Sequence, residues 1–217
     1  MPFCQSIGRC LAGLVLARAL EKPLPKPGES LVGYAAARVL EALLEAVLAI
    51  EFLERGYTRN AAGKAFVAWR ALTAALLALE EEKLGRQMEG EERRWLRRWL
   101  VEVAIPRVPT ARLKPLSRLV EKSGYSYFSL YTDRALDLHD YQYHGPDPAG
   151  ELSKYPSEND AVEDILSLLQ ELLHVVTARA KPSLERAGAW TRSHSEAARQ
   201  LEGRLAETLR AHAESPG

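Results

Sequence analysis

A 3.6-residue apolar period runs through nearly every segment of this 217-residue chain long enough to show one. It is clearest in "LVGYAAARVLEALLEAVLAIEFLERG" and "AAGKAFVAWRALTAALLALEEEKL", where alanine and leucine recur at helical spacing. Only "VEVAIPRV" resembles a strand, and its proline argues against a ladder. The expected fold class is therefore all-α, an antiparallel helical bundle with additional N- and C-terminal helices.

Punctuation residues divide the pattern. A first helix is expected from about Ser6 to Glu21, ended by "KPLPKPGES". Ser30 is placed to cap a long second helix that Gly56 stops. A third follows the turn "YTRN", and the short joint makes the pair an antiparallel hairpin. Their small residues, Ala35, Ala36, Ala37, Ala61, Ala62 and Ala68, permit close approach, and Gly63 marks a tight crossing. A fourth helix spans Glu91 to Val103, with Pro106 and Pro109 breaking it. Shorter helices follow in "TARLKPLSRLVEKSG" and "YSYFSLYTDRALDL", then a turn-rich loop, "GPDPAGELSKYP". Ser157 and Asp160 form a capping-box pattern before "ENDAVEDILSLLQELLHVVTA". A last amphipathic segment runs from Trp190 to His212. The expected organisation is an N-terminal helix and proline-rich linker (1–29), a helical bundle (30–180) and a C-terminal helical appendage (181–217).

Hydrophobic residues make up 47% of the chain, enough for a full core. The 29 basic and 29 acidic residues cancel, which argues against a general nucleic-acid coat. The charge is nevertheless segregated. Residues 83–122 carry 11 Lys/Arg against 5 Asp/Glu, and residues 134–174 carry 2 against 9. Such polarity suits self-docking or the steering of an anion. Two cysteines, Cys4 and Cys10, make no disulfide framework and fit a reducing cytoplasm. Arg18 interrupts the apolar N-terminus, against a signal peptide, and no run approaches the roughly 18 apolar residues of a membrane span. Scarce Asn, Gln, Cys and Met beside abundant Arg and Glu lean towards a thermophile.

The richest chemistry sits in "RALDLHDYQYHG", where Arg134, His139 and Tyr141 crowd the end of a helical pattern. A neutral imidazole takes a proton near pH 7 and its cation returns one. A guanidinium grips two phosphate oxygens. Together they suffice for metal-free RNA cleavage: a base activates the 2′-hydroxyl and the cation stabilises the charge on phosphorus. A twofold dimer would supply a second His139 as the acid. On an ideal helix, residues five apart point about 140° away from each other, so convergence requires the helix to end after Leu138 or a partner chain to share the groove. As ordinary structure, Arg134 would pair with Asp137 or Glu163, His139 would cap the helix end, and Tyr141 would pack the loop.

Chance alone gives R-x4-H about 0.5 times in such a chain, and the added tyrosine lowers this to roughly 0.02. On "RALDLHDY", the sequence resembles the HEPN superfamily (higher eukaryotes and prokaryotes nucleotide-binding) in its R-x4-H-x-Y form. The hairpin "FLERGYTRNAAGKAFVAWRALTAAL" and the stretch "LHDYQYHGPDP…LSKYPSENDAVEDI" look most like an uncharacterised archaeal branch. The likeness covers about residues 30–178. It implies a HEPN-like bundle that forms a homodimer, with Arg134, His139 and Tyr141 as catalytic residues of a toxin-like, metal-independent endoribonuclease in a shared cleft. It also implies a nucleotidyltransferase antitoxin that modifies the tyrosine. Active members carry a polar residue after the arginine, where this chain has Ala135. Many relatives keep the fold without activity, so the alternative is a non-catalytic module binding a nucleotide or protein partner.

A second candidate is "EERRWLRRWL". Arg94 and Arg98 would contact RNA phosphates and Trp95 and Trp99 would stack on bases, unless the tryptophans simply pack inward. The imagined metal set of His139, Asp140, His144 and Asp147 matches no common spacing, so neither metal nor cofactor is expected. Arg59 and Asn60 at a helix start suit an anion or a plain turn.

Overall fold

The computed structural model describes residues 20–86 and 90–214, apart from the side chains of residues 91–93, 95 and 96. The helix expected over Ser6 to Glu21 falls almost entirely outside them. Among the described residues every regular element is helical. In order these are α1 (Leu31–Glu54), α2 (Thr58–Leu79), α3 (Glu81–Arg86), α4 (Gly90–Trp99), α5 (Ile105–Arg107), α6 (Leu113–Lys122), α7 (Phe128–His144), α8 (Glu158–Val175), α9 (Lys181–Arg186) and α10 (Arg192–Glu214).

The hairpin of α1 and α2 is the centre. The Ser30 side chain accepts from the Gly33 N–H and caps α1. Gly56, at φ 73°, takes the left-handed conformation that turns the chain. Fully buried alanines, Ala35, Ala42, Ala46 and Ala49 on α1 and Ala61, Ala65 and Ala68 on α2, let the backbones approach closely. α2 also packs on α6, α7 and α8, so it is buried nearly all round. It is long and apolar enough to cross a membrane by length and composition, but 78% of that window is buried inside the bundle. Its apolar length is used by helix packing.

Buried polar groups fix the layers. The Trp69 indole donates to Thr132 Oγ1 at 2.9 Å and stacks on Phe128 at 4.5 Å, locking α2 to α7. The Tyr34 hydroxyl donates to the Ile105 carbonyl at 2.7 Å and accepts from Arg38 Nε. α10 lies along α1 and α8, with Ala197, Leu201 and Leu205 in the shared core.

Pro106 was expected to break the fourth helix, yet the chain stays helical through it to Arg107, as it does through Pro182. Each follows a five-residue π-helical turn, Leu100–Ala104 and Val176–Ala180. Proline removes a donor and crowds the preceding turn, and widening that turn relieves both. Ser157 and Asp160 form the expected capping box on α8.

Candidate functional site

α7 carries the motif. It starts after Tyr127, held in the left-handed region at φ 63°, and ends at Gly145. The expected helix end after Leu138 does not occur, and the helix runs six residues further, to His144. Phe128, Thr132, Ala135, Leu138 and Tyr141 form one continuous buried face, so the apolar anchor outlasts the visible sequence pattern. Arg59 secures the end: its Nε donates to the Gln142 carbonyl at 3.0 Å and its Nη2 to the Tyr143 carbonyl at 2.5 Å. A cation at a helix C-terminus complements the dipole there. Arg59 therefore serves as a cap, which explains its place at the start of α2.

On this unbroken rod Arg134 and His139 lie on opposite flanks, about 140° apart. Arg134 faces α8. Its Nε pairs with Asp164 Oδ1 at 2.8 Å, its Nη1 donates to Ser167 Oγ at 2.5 Å, and its guanidinium lies 5.3 Å from the Tyr131 ring centre. The partner is neither Asp137 nor Glu163. Asp137 takes Lys154 at 2.5 Å, and Asp164, one position past Glu163, is the residue three before Ser167 and on its face of α8. Asp164 also accepts from the Tyr155 hydroxyl at 2.9 Å, which with burial pushes the Tyr155 phenol well up.

His139 faces α2. Its ring stacks on Phe66 at 4.1 Å and 24°, and Tyr143 meets it edge-on at 5.3 Å. Its Nδ1 is 2.6 Å from the Gln142 side-chain nitrogen. Burial pulls the imidazole below its ordinary value; Asp140 opposes this and Arg70 reinforces it. The ring is thus neutral at pH 7. Gly63 makes room for this arrangement, since a Cβ there would sit 2.3 Å from Gln142 Oε1.

Tyr141 is 1% exposed and packs edge-on against Tyr155 at 5.4 Å. It borders a cleft of about 410 Å³ with Thr58, Arg59, Asn60 and Glu158. Burial and the Glu158 carboxylate raise its phenol, with Arg59 opposing. No hydrogen bond to its hydroxyl occurs among the described residues. Arg134 and Tyr141, seven residues apart, therefore share one side of α7 to within about 20°, with His139 on the opposite flank.

Arg94 and Arg98 are exposed and border a separate cleft of about 540 Å³ with Arg97, Glu29 and Glu102. Arg97 is paired with Glu81 at 2.7 Å. Trp99 is half-buried and packs on the core, while the Trp95 side chain lies outside the described residues. No group of three His, Cys, Asp or Glu among the described residues is arranged to hold a metal. Asp147 instead organises its loop: its carboxylate accepts from the N–H groups of Ala149, Gly150, Leu152 and Ser153, which hold it below the usual range.

Sequence reasoning missed Phe66, Arg70, Gln142, Asp164 and Ser167. One usable signal existed, since Phe66 and Arg70 are four apart and share a helix face. The expected alternative Glu163 already lay on α8; the acceptor is its neighbour Asp164.

Fold and site together define an all-α bundle built on a buried hairpin, with a polar helix, α7, laid against it. The chain belongs to the archaeal PaREP1/PaREP8 family, whose model matches residues 37–166, from the first turns of α1 to the middle of α8. No curated protein and no solved structure matches it.

Proposed function

We propose that this chain is a non-catalytic, HEPN-like helical module that binds a nucleotide or protein partner on the surface of α7. The observation that carries this reading is the commitment of Arg134 to Asp164 and Ser167, on the flank of α7 opposite His139. Within one chain the two groups cannot converge on one phosphate, and freeing Arg134 would break a half-buried ion pair. The test is incubation of the purified protein with mixed RNA in EDTA, alongside His139→Ala. The expected result is intact RNA with both. Cleavage that survives chelation and is lost in His139→Ala would overturn the reading.

One observation favours the second reading, a dimeric metal-independent endoribonuclease. Nδ1 of His139 accepts from the Gln142 amide, so Nε2 keeps the ring's N–H and, making no hydrogen bond among the described residues, is left to donate to a substrate oxygen. In that case the phosphate-holding cation would come from elsewhere on the chain or from a second copy.

A further inference from the structure

The widened turn in front of Pro182 carries Arg179. Together with the end of α8 and the bend between α6 and α7 it borders a cleft of about 300 Å³, at the small end of ligand sites. The cleft is remote from the motif: Tyr127, on its rim, precedes His139 by twelve residues, about 18 Å along α7.

Ser126, Tyr127, Glu171, His174 and Arg179 line it. Arg179 is held in place, since its Nη2 donates to the Gly124 carbonyl at 3.0 Å and its guanidinium lies 5.5 Å from the Tyr125 ring centre. The rest of the fork remains for a ligand. Glu171 is half-buried, and among the described residues its carboxylate makes no hydrogen bond and no ion pair. Other sheltered carboxylates are taken: Glu45 by Lys64, Glu81 by Arg97 and Asp164 by Arg134. Burial raises the Glu171 carboxyl, with His174 opposing. The hydroxyls of Ser126 and Tyr127 have no hydrogen bond among the described residues either. Tyr127, 70% exposed, sits at φ 63°, a conformation that costs a non-glycine residue energy and recurs at ligand sites.

Glu171 and Arg179 do not pair with each other, because two turns, roughly 12 Å of helix, separate them. A simple anion would meet repulsion from Glu171, and a simple cation from Arg179. A ligand that carries both charges satisfies both groups at once. We propose that this cleft binds a free α-amino acid, with the Arg179 guanidinium on its carboxylate, the Glu171 carboxylate on its ammonium and Tyr127 against its side chain. The site is independent of the partner surface on α7.

The test is isothermal titration calorimetry of the full chain with each proteinogenic L-amino acid in turn. At least one is expected to bind with a Kd of about 1 mM or tighter. The amine lacking its carboxylate and the acid lacking its ammonium then bind about tenfold more weakly, the loss of one charged hydrogen bond. Glu171→Gln keeps the shape of the side chain, weakens the amino acid about tenfold and removes the discrimination against the acid. Arg179→Gln instead removes the discrimination against the amine. Misfolding would weaken all three ligands alike, so this exchange of preference reads contact with each charge. Tyr127→Gly suits φ 63° and keeps thermal stability while affinity falls several-fold. Arg199→Ala, exposed on α10, binds as wild type. The proposal is overturned if no amino acid binds at about 10 mM, or if Glu171→Gln leaves affinity unchanged. An amine or acid that binds as tightly as its parent amino acid overturns it too.

Discussion

At His139 three groups set the proton. Burial favours the neutral ring, Arg70 adds to that, and Asp140 opposes it. Removing each charge must move the titration in a known direction. In Arg70→Ala the imidazole pKa rises; in Asp140→Asn it falls further. NMR titration of the ring protons reads both shifts, and a fall in Arg70→Ala would show that the guanidinium does not face the ring. Gly63→Ala acts on the same ring by a different route. The new methyl displaces the flexible end of Gln142, and alanine gains about 1 kcal/mol in helix propensity over glycine. Stability therefore stays within about 1 kcal/mol of wild type, while the His139 resonances move as the ring loses its hydrogen bond. The sequence displayed Arg134, His139 and Tyr141 but not their directions, because direction depends on where the helix stops. Leu138 and Tyr141 decide that through the core, and core contacts are invisible to local pattern.

Among the elements, α10 is held by a buried imidazole. His194 is 3% exposed; its Nδ1 accepts from the Thr191 N–H at 3.2 Å, which leaves Nε2 to donate to the Ala36 carbonyl of α1 at 2.8 Å. Both ring nitrogens are satisfied only in the neutral form. Burial pulls His194 below its ordinary value of 6.5, with the hydrogen bond to Ala36 opposing. Because the folded value is the lower one, the unfolded chain takes the proton first as pH falls. Stability is thus full above about 6.5 and is lost below it. Urea unfolding at pH 7.5 and at pH 5.5 should show this decline in the wild type and a flatter profile in His194→Asn. Equal pH slopes in the two proteins would remove His194 as the cause. The prolines teach a related lesson. Pro106 looks like a helix end in sequence, but the π-helical turn in front of it, like the one before Pro182, carries the helix past the proline. Capping residues were more legible, since Ser30 and the Ser157–Asp160 pair act within their own turn.

For the molecule as a whole, the all-α class followed from period alone, and the hairpin from the short joint between its halves. Which helix would become the hub did not follow, because α2 is read as amphipathic until α7 and α8 cover its other sides. The alanines that permit this leave little spare volume. Ala68→Leu on α2, fully buried, is expected to cost about 1–3 kcal/mol by overpacking. Ala206→Leu, exposed on α10, should fall within about 0.5 kcal/mol. Thermal melts of the two variants compare them directly, and equal melting temperatures would refute a tightly filled centre.

The continuity of α7 also constrains any assembly of two copies along its outer ridge. If the two rods run parallel about a twofold axis, each chain's guanidinium flank lies against the other's imidazole flank, offset along the rod by about 7.5 Å. If they run antiparallel, the two imidazoles gather on one side and the two guanidiniums on the other. Relative strand direction alone would therefore decide whether a pair of these molecules mixes its acid–base and cationic groups or sorts them apart.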